Sequence, residues 1–241
     1  MTREEFSSSF DTQLNSFAHT AQFGDVNAAV DVVLDEYEKS LFLTQAQEEE
    51  VLSLYSGKNA AGEGFEQTEE LRRYLSPLIK EKELSPITTT NGKVLGLESD
   101  STFFTLPKDL WFITFERAVI TDGKCEGSTN LDVYPVRQDE YHKLKKNPFR
   151  GANNRRALRF DLSEGVVEII SKYSVTSYYV RYLRKLNPIV LTHFGDEVSI
   201  RGVSEPTDCE LPDILHQRVL DRAVILALKS KGIRLDNNEN R

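Results

Sequence analysis

The sequence has only two cysteines, Cys125 and Cys209, and they lie far apart along the chain. Such a pair does not make the disulfide framework of a small secreted domain, and we expect both thiols to stay reduced, as in a cytosolic protein. No uninterrupted apolar run approaches the roughly 20 residues that span a bilayer. The N-terminal residues MTREEFSSSF contain no apolar segment of signal-peptide type. We therefore expect neither a membrane partner nor export.

Sequence motifs for catalysis are also missing. The chain has no phosphate-binding P-loop, no GxGxxG after a strand, no GxSxG and no HExxH. Of the four histidines, no two lie at metal-ligand spacing on one helix. A thiol–imidazole pair of Cys209 and His216, oriented by Asp208 or Asp213, is one alternative. However, His216 falls within an apolar helix stripe, which favours a core or interface histidine. We predict no catalytic residue, no metal and no cofactor.

The charge of the chain is unevenly distributed. Residues 1–70 hold 3 basic and 15 acidic residues, a net charge of −12, whereas the rest holds 27 basic and 23 acidic, a net of +4. The overall composition, with 39% hydrophobic and 28% charged residues, is that of an ordinary globular protein. An acidic end and a mildly basic remainder favour contact between copies or with a charged partner. The alternative is a solvated charged surface.

Helical patterns dominate the first 80 residues. Phe6, Phe10, Leu14 and Phe17 recur at helical spacing. A second helix is predicted over residues 26–42. A third begins at Thr44, where Gln47 completes a capping box. Thr68 then caps a short helix that Pro77 bends or ends.

From residue 85 onward the apolar period changes to 2, which indicates strands. Strands are predicted at Phe103–Leu106, Leu110–Ile120 and Leu131–Val136, with a turn at Asp122-Gly123. A short helix follows near residues 138–146. Residues 157–186 predict a three-stranded antiparallel meander, and residues 189–194 and 197–202 predict two more strands.

The clearest single element is the C-terminal helix, within residues 206–232. Pro212 suits its first helical position and Gly232 its C′ position. Its apolar residues surround the helix almost completely. Three of them fall outside the main stripe and are predicted interface residues: Ile214, Ile225 and Leu228. Such a helix is either buried deep in one core or used as a subunit contact.

Together these patterns predict the α+β class, with N-terminal helices, a central, mostly antiparallel sheet and a long C-terminal helix. We predict a single domain. Its parts are a helical region 1–80, a mainly β region 81–205, the C-terminal helix 206–232 and a polar tail 233–241.

A basic tract spans residues 141–160 without any acidic residue. Its seven cations are Lys143, Lys145, Lys146, Arg150, Arg155, Arg156 and Arg159. A basic loop can bind nucleic-acid phosphates without sequence specificity, or it can dock on an acidic protein surface. Tyr179 and Arg181 add to the predicted interface, because they share one face of a strand with aromatic residues on both faces. A strand buried on both sides is the alternative there.

Several segments, in order, resemble the neck ring, or head–tail connector, proteins of crAss-like tailed bacteriophages. The matching segments are FSSSFDTQLNSF, YEKSLFLTQAQEEEVLSLY, DEYHKLKKNPFRGANNRRALR, TSYYVRYLRKLNPIVL and CELPDILHQRVLDRAVILAL. They extend from about Phe6 to Leu228, while Lys82–Ser101 carries no resemblance. The last segment also resembles, more loosely, an LP-x-x-LH helix in connector proteins of other tailed phages.

The resemblance implies a virion structural protein without a catalytic site, assembled in the host bacterial cytoplasm. Such proteins form a ring, typically of twelve identical subunits, beneath the portal protein at the capsid vertex. The ring binds other neck and tail proteins, and packaged DNA passes through its lumen without sequence specificity. We expect the basic tract to dock on the portal or on a neighbouring subunit. The alternative function is non-specific nucleic-acid binding through residues 143–159.

Overall fold

The computed structural model describes residues 1–21, 33–58, 62, 64–87, 101–121, 128–162, 165–195 and 198–232. Its helices are α1 (Arg3–Ala21), α2 (Glu36–Ser56), α3 (Glu69–Leu75), α4 (Tyr141–Lys145) and α5 (Asp213–Ser230). Its strands are β1 (Ile79–Leu84), β2 (Thr102–Thr105), β3 (Leu110–Thr121), β4 (Ser128–Pro135), β5 (Arg156–Asp161), β6 (Val166–Ile170) and β7 (Val175–Arg184). The predicted α+β class is confirmed. Residues 26–32, the Asp122-Gly123 turn, Cys125 and the tail 233–241 lie outside the described residues.

The chain divides into two compact units. Unit 1 comprises residues 1–77 and 186–241 and holds α1, α2, α3 and α5. Unit 2 comprises residues 78–185 and holds the sheet and α4. The C-terminal helix therefore groups with the N-terminal helices, although the whole sheet separates them in sequence. None of the described helices is long and apolar enough to cross a membrane.

Helix α5 is the long C-terminal helix that the sequence predicts. It begins at Asp213, with Pro212 at the N-cap position, and Gly232 follows its C-cap with a φ of 77°. The helix packs against α1 and α2, so its wide apolar surface meets partners within unit 1. Phe6, Phe10 and Leu14 of α1 are buried, as their helical spacing predicts, whereas Phe17 of the same stripe is 45% exposed. Most of the apolar surface of α5 is therefore explained by the core of unit 1.

Helix α2 is continuous across the point where the sequence predicts a new helix. Its capping box is formed by Asp35 and Glu38, not by Thr44 and Gln47, and the helix ends at Gly57 in the left-handed region. The capping box predicted at Thr44 is wrong because that side chain bonds elsewhere. In α2 the side chains of Thr44 and Gln47 bond a backbone segment distant in sequence.

That backbone segment is residues 187–191, which lies along α2. Ser40 Oγ accepts a hydrogen bond from the amide of Leu191 at 3.0 Å, and Thr44 Oγ1 accepts from the amide of Ile189 at 3.0 Å. Gln47 Nε2 donates to the carbonyl oxygen of Asn187 at 3.0 Å. These helix side chains form the hydrogen bonds with the backbone of the segment that a neighbouring strand would otherwise form.

The strands predicted at residues 189–194 and 197–202 are wrong where the structure describes these residues. The described residues there form only isolated bridges, Val190 with Thr207 and Ile200 with Val203. Arg201 and Gly202 both have positive φ between the second pair. Positive φ at two central residues is the geometry of a type I′ hairpin turn.

The sheet of unit 2 has the strand order β1-β7-β3-β4-β5-β6-β2. All pairings are antiparallel except β4 with β5. The predicted meander is wrong in its last step, because β7 pairs with β1 and β3 and not with β6. The sequence predicts residues 79–84 as part of the short helix that Thr68 caps, and this is wrong, because they form β1. Their charged sequence IKEKEL lacks the apolar alternation of a half-buried strand.

The sheet is curled around one core. Phe104 of β2 and Tyr178 of β7 have ring centroids 5.3 Å apart, although their strands lie near opposite ends of the strand order. Ile87, just beyond β1, forms a bridge with Phe103 of β2. The face toward this core is here called the core face, and the opposite one the outer face.

The parallel pairing of β4 with β5 requires a crossover connection, and this connection carries α4 and most of the basic tract. Tyr141 of α4 packs on the outer face against Leu158, Phe160 and Ile170. The ring of Tyr141 meets that of Phe160 edge-on, with centroids 5.2 Å apart. The basic tract is thus fixed on one region of the outer face.

Candidate assembly interface

The basic loop, defined here as residues 143–155, is held in a tight bend behind α4. The Asn147 side chain accepts hydrogen bonds from the amides of Phe149 at 2.9 Å and Arg150 at 3.2 Å. The amide of Gly151 donates to the carbonyl oxygen of Asn147 at 2.8 Å. A Cβ atom at position 151 would lie 2.9 Å from the carbonyl oxygens of Asn147 and Leu144. Only glycine allows this close approach without a shift of the loop.

This bend leaves many side chains of the loop exposed. Phe149 is 83% exposed at its centre. The exposed cations around it are Lys143, Lys145, Lys146, Arg150 and Arg155. An exposed aromatic ring among cations, on a rigid support, is suited to contact with an acidic surface.

The last two cations of the tract differ from these five. The Arg156 guanidinium lies 4.2 Å from the centre of the Tyr134 ring and donates to the carbonyl oxygen of Phe149 at 2.9 Å. Arg156 therefore helps to fix the backbone of the loop at Phe149. Arg159 is only 8% exposed and lies on the core face. The tract as a run of cations does not separate these two residues from the other five.

Arg159 belongs to a buried polar cluster inside the sheet. Its Nη1 donates to Glu116 at 2.8 Å, and the Tyr178 hydroxyl donates to the same carboxylate oxygen. Burial raises the pKa of Glu116 despite the opposing attraction of Arg159. Burial and the Glu116 charge also raise the pKa of Tyr178. Arg159 thus neutralises an internal carboxylate, so we leave it out of the interface proposed below.

Tyr179 and Arg181 lie on the outer face, as their alternation with buried Tyr178, Val180 and Tyr182 predicts. The Arg117 guanidinium lies 4.6 Å from the centre of the Tyr179 ring. Arg181 lies 3.8 Å from Glu81 of the neighbouring strand.

Strand pairing extends this region into a row across five strands. The paired residues are, in order, Glu83, Tyr179, Arg117, Asp132 and Arg156. Neighbours in such a row lie about 4.8 Å apart between strands. Phe115, which is paired with Arg181, is 47% exposed beside it. Tyrosine, arginine and phenylalanine are enriched in protein interfaces.

Sequence reasoning missed Phe115, Arg117 and Tyr134 as parts of this surface. The alternation of Phe115 and Arg117 within the predicted strand 110–120 was a usable signal. It did not show that β7 is the neighbour of β3, because register and pairing are not local properties of a sequence.

The three predicted residues of α5 have different environments. Ile214 is 65% exposed, Ile225 is partly buried, and Leu228 is fully buried within unit 1. Leu228 therefore packs in the core and offers no surface to a partner.

The most concentrated acidic run of unit 1 is engaged within that unit. Glu48, Glu49 and Glu50 of α2 each pair with an arginine. The partners are Arg201, Arg222 and Arg218, with 2.5 Å between Glu49 and Arg222 and 2.9 Å between Glu50 and Arg218. Burial raises the pKa of Glu50 against the attraction of Arg218 and Arg222.

Even so, unit 1 holds 12 basic and 24 acidic residues, a net charge of −12, and unit 2 holds 18 and 14, a net of +4. The negative net charge therefore belongs to unit 1 and the positive net charge to unit 2. Net charge of this size acts beyond single ion pairs, through the field around each unit.

The alternative thiol–imidazole pair does not have the properties of a nucleophilic site. Burial raises the pKa of the Cys209 thiol to about 11, which suppresses the reactive thiolate. His216 is buried, its Nδ1 lies 2.7 Å from the amino group of Met1, and its Nε2 lies 2.8 Å from the carbonyl oxygen of Leu211. Both ring nitrogens therefore have partners other than Cys209.

The outer face and the basic loop of unit 2 thus have the residue composition of protein-contact surfaces. The model of the phage tail ring protein 3/4 family matches residues 1–239. The chain belongs to this family. The resemblance to ring proteins of crAss-like phages is confirmed.

Two similar proteins come from Bacteroides phage crAss001. Ring protein 3 is 46% identical over 242 residues, covering 99% of this chain and all of that protein. Ring protein 4/5 is 32% identical over 236 residues, covering 94% of this chain and 92% of that protein. Members of the ring protein 3/4 family are structural phage proteins and not enzymes, so the prediction of no catalytic function is confirmed.

Proposed function

We propose that this chain is a virion structural protein that assembles with identical copies into a ring of the phage neck. In this proposal the ring, of twelve subunits, attaches to the portal protein and links the capsid to the tail around the DNA channel. The basic loop and the outer-face row of Tyr179, Arg117 and Arg181 make contacts with the portal or with a neighbouring subunit.

The observation that carries the proposal is the basic loop itself. Its backbone is fixed by Asn147 and Gly151, while its cations and Phe149 are exposed. A backbone that is fixed before contact reduces the entropy cost of association. A loop that is rigid in its backbone, exposed and uniformly basic is suited to docking on an acidic partner.

The opposite net charges of the two units also support the proposal. A basic surface of one copy and an acidic surface of another give a head-to-tail contact, and repeated head-to-tail contacts close into a ring when the rotation allows it. The glutamates paired with Arg201, Arg218 and Arg222 leave less acidic surface within unit 1. An acidic surface on the portal is therefore an equal candidate for the partner.

The test is a variant in which four exposed cations of the loop, Lys143, Lys146, Arg150 and Arg155, are replaced by Ser. Arg156 is left unchanged because it supports the loop. The control replaces Lys58, Arg72, Arg73 and Lys229, four exposed cations of unit 1, by Ser, so that net charge changes equally. Negative-stain imaging of each protein, alone and with its portal, should find rings for wild type and control only. Rings from the loop variant in normal yield would contradict this role.

Non-specific nucleic-acid binding remains a second candidate, favoured by the same exposed cations. It predicts affinity for DNA that falls steeply with added salt. The loop variant and its control distinguish the two functions. If the loop acts on DNA alone, the variant loses DNA affinity but still forms rings on the portal.

A further inference from the structure

A pocket of about 190 Å³ lies beside the basic loop in unit 2. Its apolar lining comes from Tyr141, Ala152, Leu158 and Ile170, and two exposed lysines, Lys145 and Lys172, also line it. The same apolar residues form the small cluster that packs α4 on the outer face of the sheet. The pocket is thus part of the rigid support of the loop.

The size of the pocket restricts its occupant. Pockets for small molecules measure about 300–1,000 Å³, so this one is too small for most of them. It suits a single apolar side chain. The lysines favour a carboxylate next to that side chain, because opposite charges attract strongly where water is partly excluded.

Three apolar side chains of the described residues are more than 60% exposed, and they are Val33, Phe149 and Ile214. Phe149 belongs to the basic loop, so its neighbours would repel the lysines of the pocket. Val33 lies near Asp35, whose carboxylate accepts a hydrogen bond from the amide of Glu38 at 2.7 Å. Among the described residues, neither side chain therefore has a carboxylate nearby in sequence that makes no short hydrogen bond.

Ile214 has the required neighbour. Asp213 precedes it, and the Asp213 side chain is 92% exposed. The contacts of this carboxylate are long, at 3.5 Å to the Met1 amino group and 3.3 Å to His216 Nδ1. Both residues lie in the first turn of α5, which buried Leu215 and His216 hold in place. Ile214 therefore projects from a fixed support with an accessible acid beside it.

We propose that Ile214 of one copy inserts into the Tyr141 pocket of a second copy, with Asp213 facing Lys172. The contact joins different surfaces of the two copies, so each copy can use its Ile214 with one neighbour and its pocket with another. This inference rests on the proposed ring and names a specific contact between its subunits.

Two one-sided variants test it. Ile214→Gln removes the inserting side chain and keeps the pocket, whereas Ala152→Phe fills the pocket and keeps Ile214. Val33→Gln is the matched control, since it changes another exposed aliphatic side chain. Each one-sided variant should raise the protein concentration needed for rings about tenfold or more, as expected for an anchor residue. The control should leave it unchanged.

Mixing the two variants gives the sharper result. The intact Ile214 of the Ala152→Phe variant can then enter the intact pocket of the Ile214→Gln variant. The other pocket and the other residue 214 of this pair are both altered, so neither can bind a third copy. We expect one-to-one heterodimers and no rings by mass photometry. If Ala152→Phe does not fold, Lys172→Glu replaces it, because that lysine is exposed.

Wild-type-like rings from Ile214→Gln, or a mixture that stays monomeric, would overturn the contact. In either case the ring function stands as long as wild type and Val33→Gln form rings. If wild type forms no ring alone or on the portal, the proposed function fails, and this contact fails with it.

Discussion

Arg159 illustrates how one residue can have a different role from its neighbours in sequence. It lies in a tract of exposed cations, yet strand alternation turns it toward the core face, where it pairs with Glu116. Removing one partner of a buried ion pair leaves an uncompensated charge, which is strongly destabilising. Arg159 therefore serves stability, while its neighbours in the loop are available for contact.

We expect Arg159→Met to lower the free energy of unfolding by about 3–5 kcal/mol at pH 7. The pKa of Glu116 is raised in the folded state, so above pH 4.5 the folded state holds more protons than the unfolded state. Stability from this group therefore falls as pH rises through that window. Arg159 opposes the rise in the pKa of Glu116, so its loss raises that pKa further. The difference from wild type should thus shrink as pH falls toward 4.5, as measured by urea unfolding.

The double variant Arg159→Met with Glu116→Met is the control, because it removes both charges of the pair. Buried ion pairs replaced by apolar residues often retain stability. We expect the double variant to be more stable than Arg159→Met at pH 7. A pH-independent loss in the single variant would contradict the role of the Glu116 charge.

Helix α4 and the basic loop form one structural element, because Gly151 packs directly on the end of the helix. In Gly151→Ala, the new methyl carbon would lie 2.9 Å from two carbonyl oxygens, so the loop must move away from α4. Overpacking of this kind costs about 1–3 kcal/mol. We expect faster proteolytic cleavage within residues 143–155 and a lower yield of rings.

Gly195→Ala is the matched control for the loop variant. A Cβ atom at position 195 would meet no heavy atom within 4 Å. This change should leave both cleavage and ring yield as in wild type. Equal behaviour of the two variants would show that close packing at Gly151 does not determine the loop conformation.

Strand β1 is a strand whose sequence lacks the apolar alternation that typically predicts one. It lies at one end of the strand order, and its sequence alternates lysine and glutamate. Charged residues are common on edge strands because they discourage unwanted pairing with other chains. This sequence lacks the apolar signal of a strand for that reason, and only its pairing with β7 identifies it.

At the scale of the whole molecule, the units carry net charges of −12 and +4. If contacts between copies join basic to acidic surfaces, salt should weaken them, since the Debye length falls from about 10 Å at 0.1 M to about 3 Å at 1 M ionic strength. We expect slower ring formation at high salt, followed by light scattering. Ring formation that is equally fast across this range would indicate that apolar contacts dominate.

The sequence by itself determined the properties that depend on local periodicity. These include the α+β class, the α1 stripe of Phe6, Phe10 and Leu14, the C-terminal helix and the alternation of β7. A repeat of 3.6 or 2 residues specifies which side chains share a face, whatever the partner of that face. The ordered segments also identified the family, because they extend over most of the chain.

Only the tertiary structure decided which faces meet. It placed β7 between β1 and β3, turned Arg159 inward, and used Thr44 and Gln47 to bond the segment 187–191. It also brought Tyr141, Leu158 and Ile170 together around one pocket. These results depend on pairing between residues distant in sequence. Such pairing is selected by the packing of the whole core, which no local pattern contains.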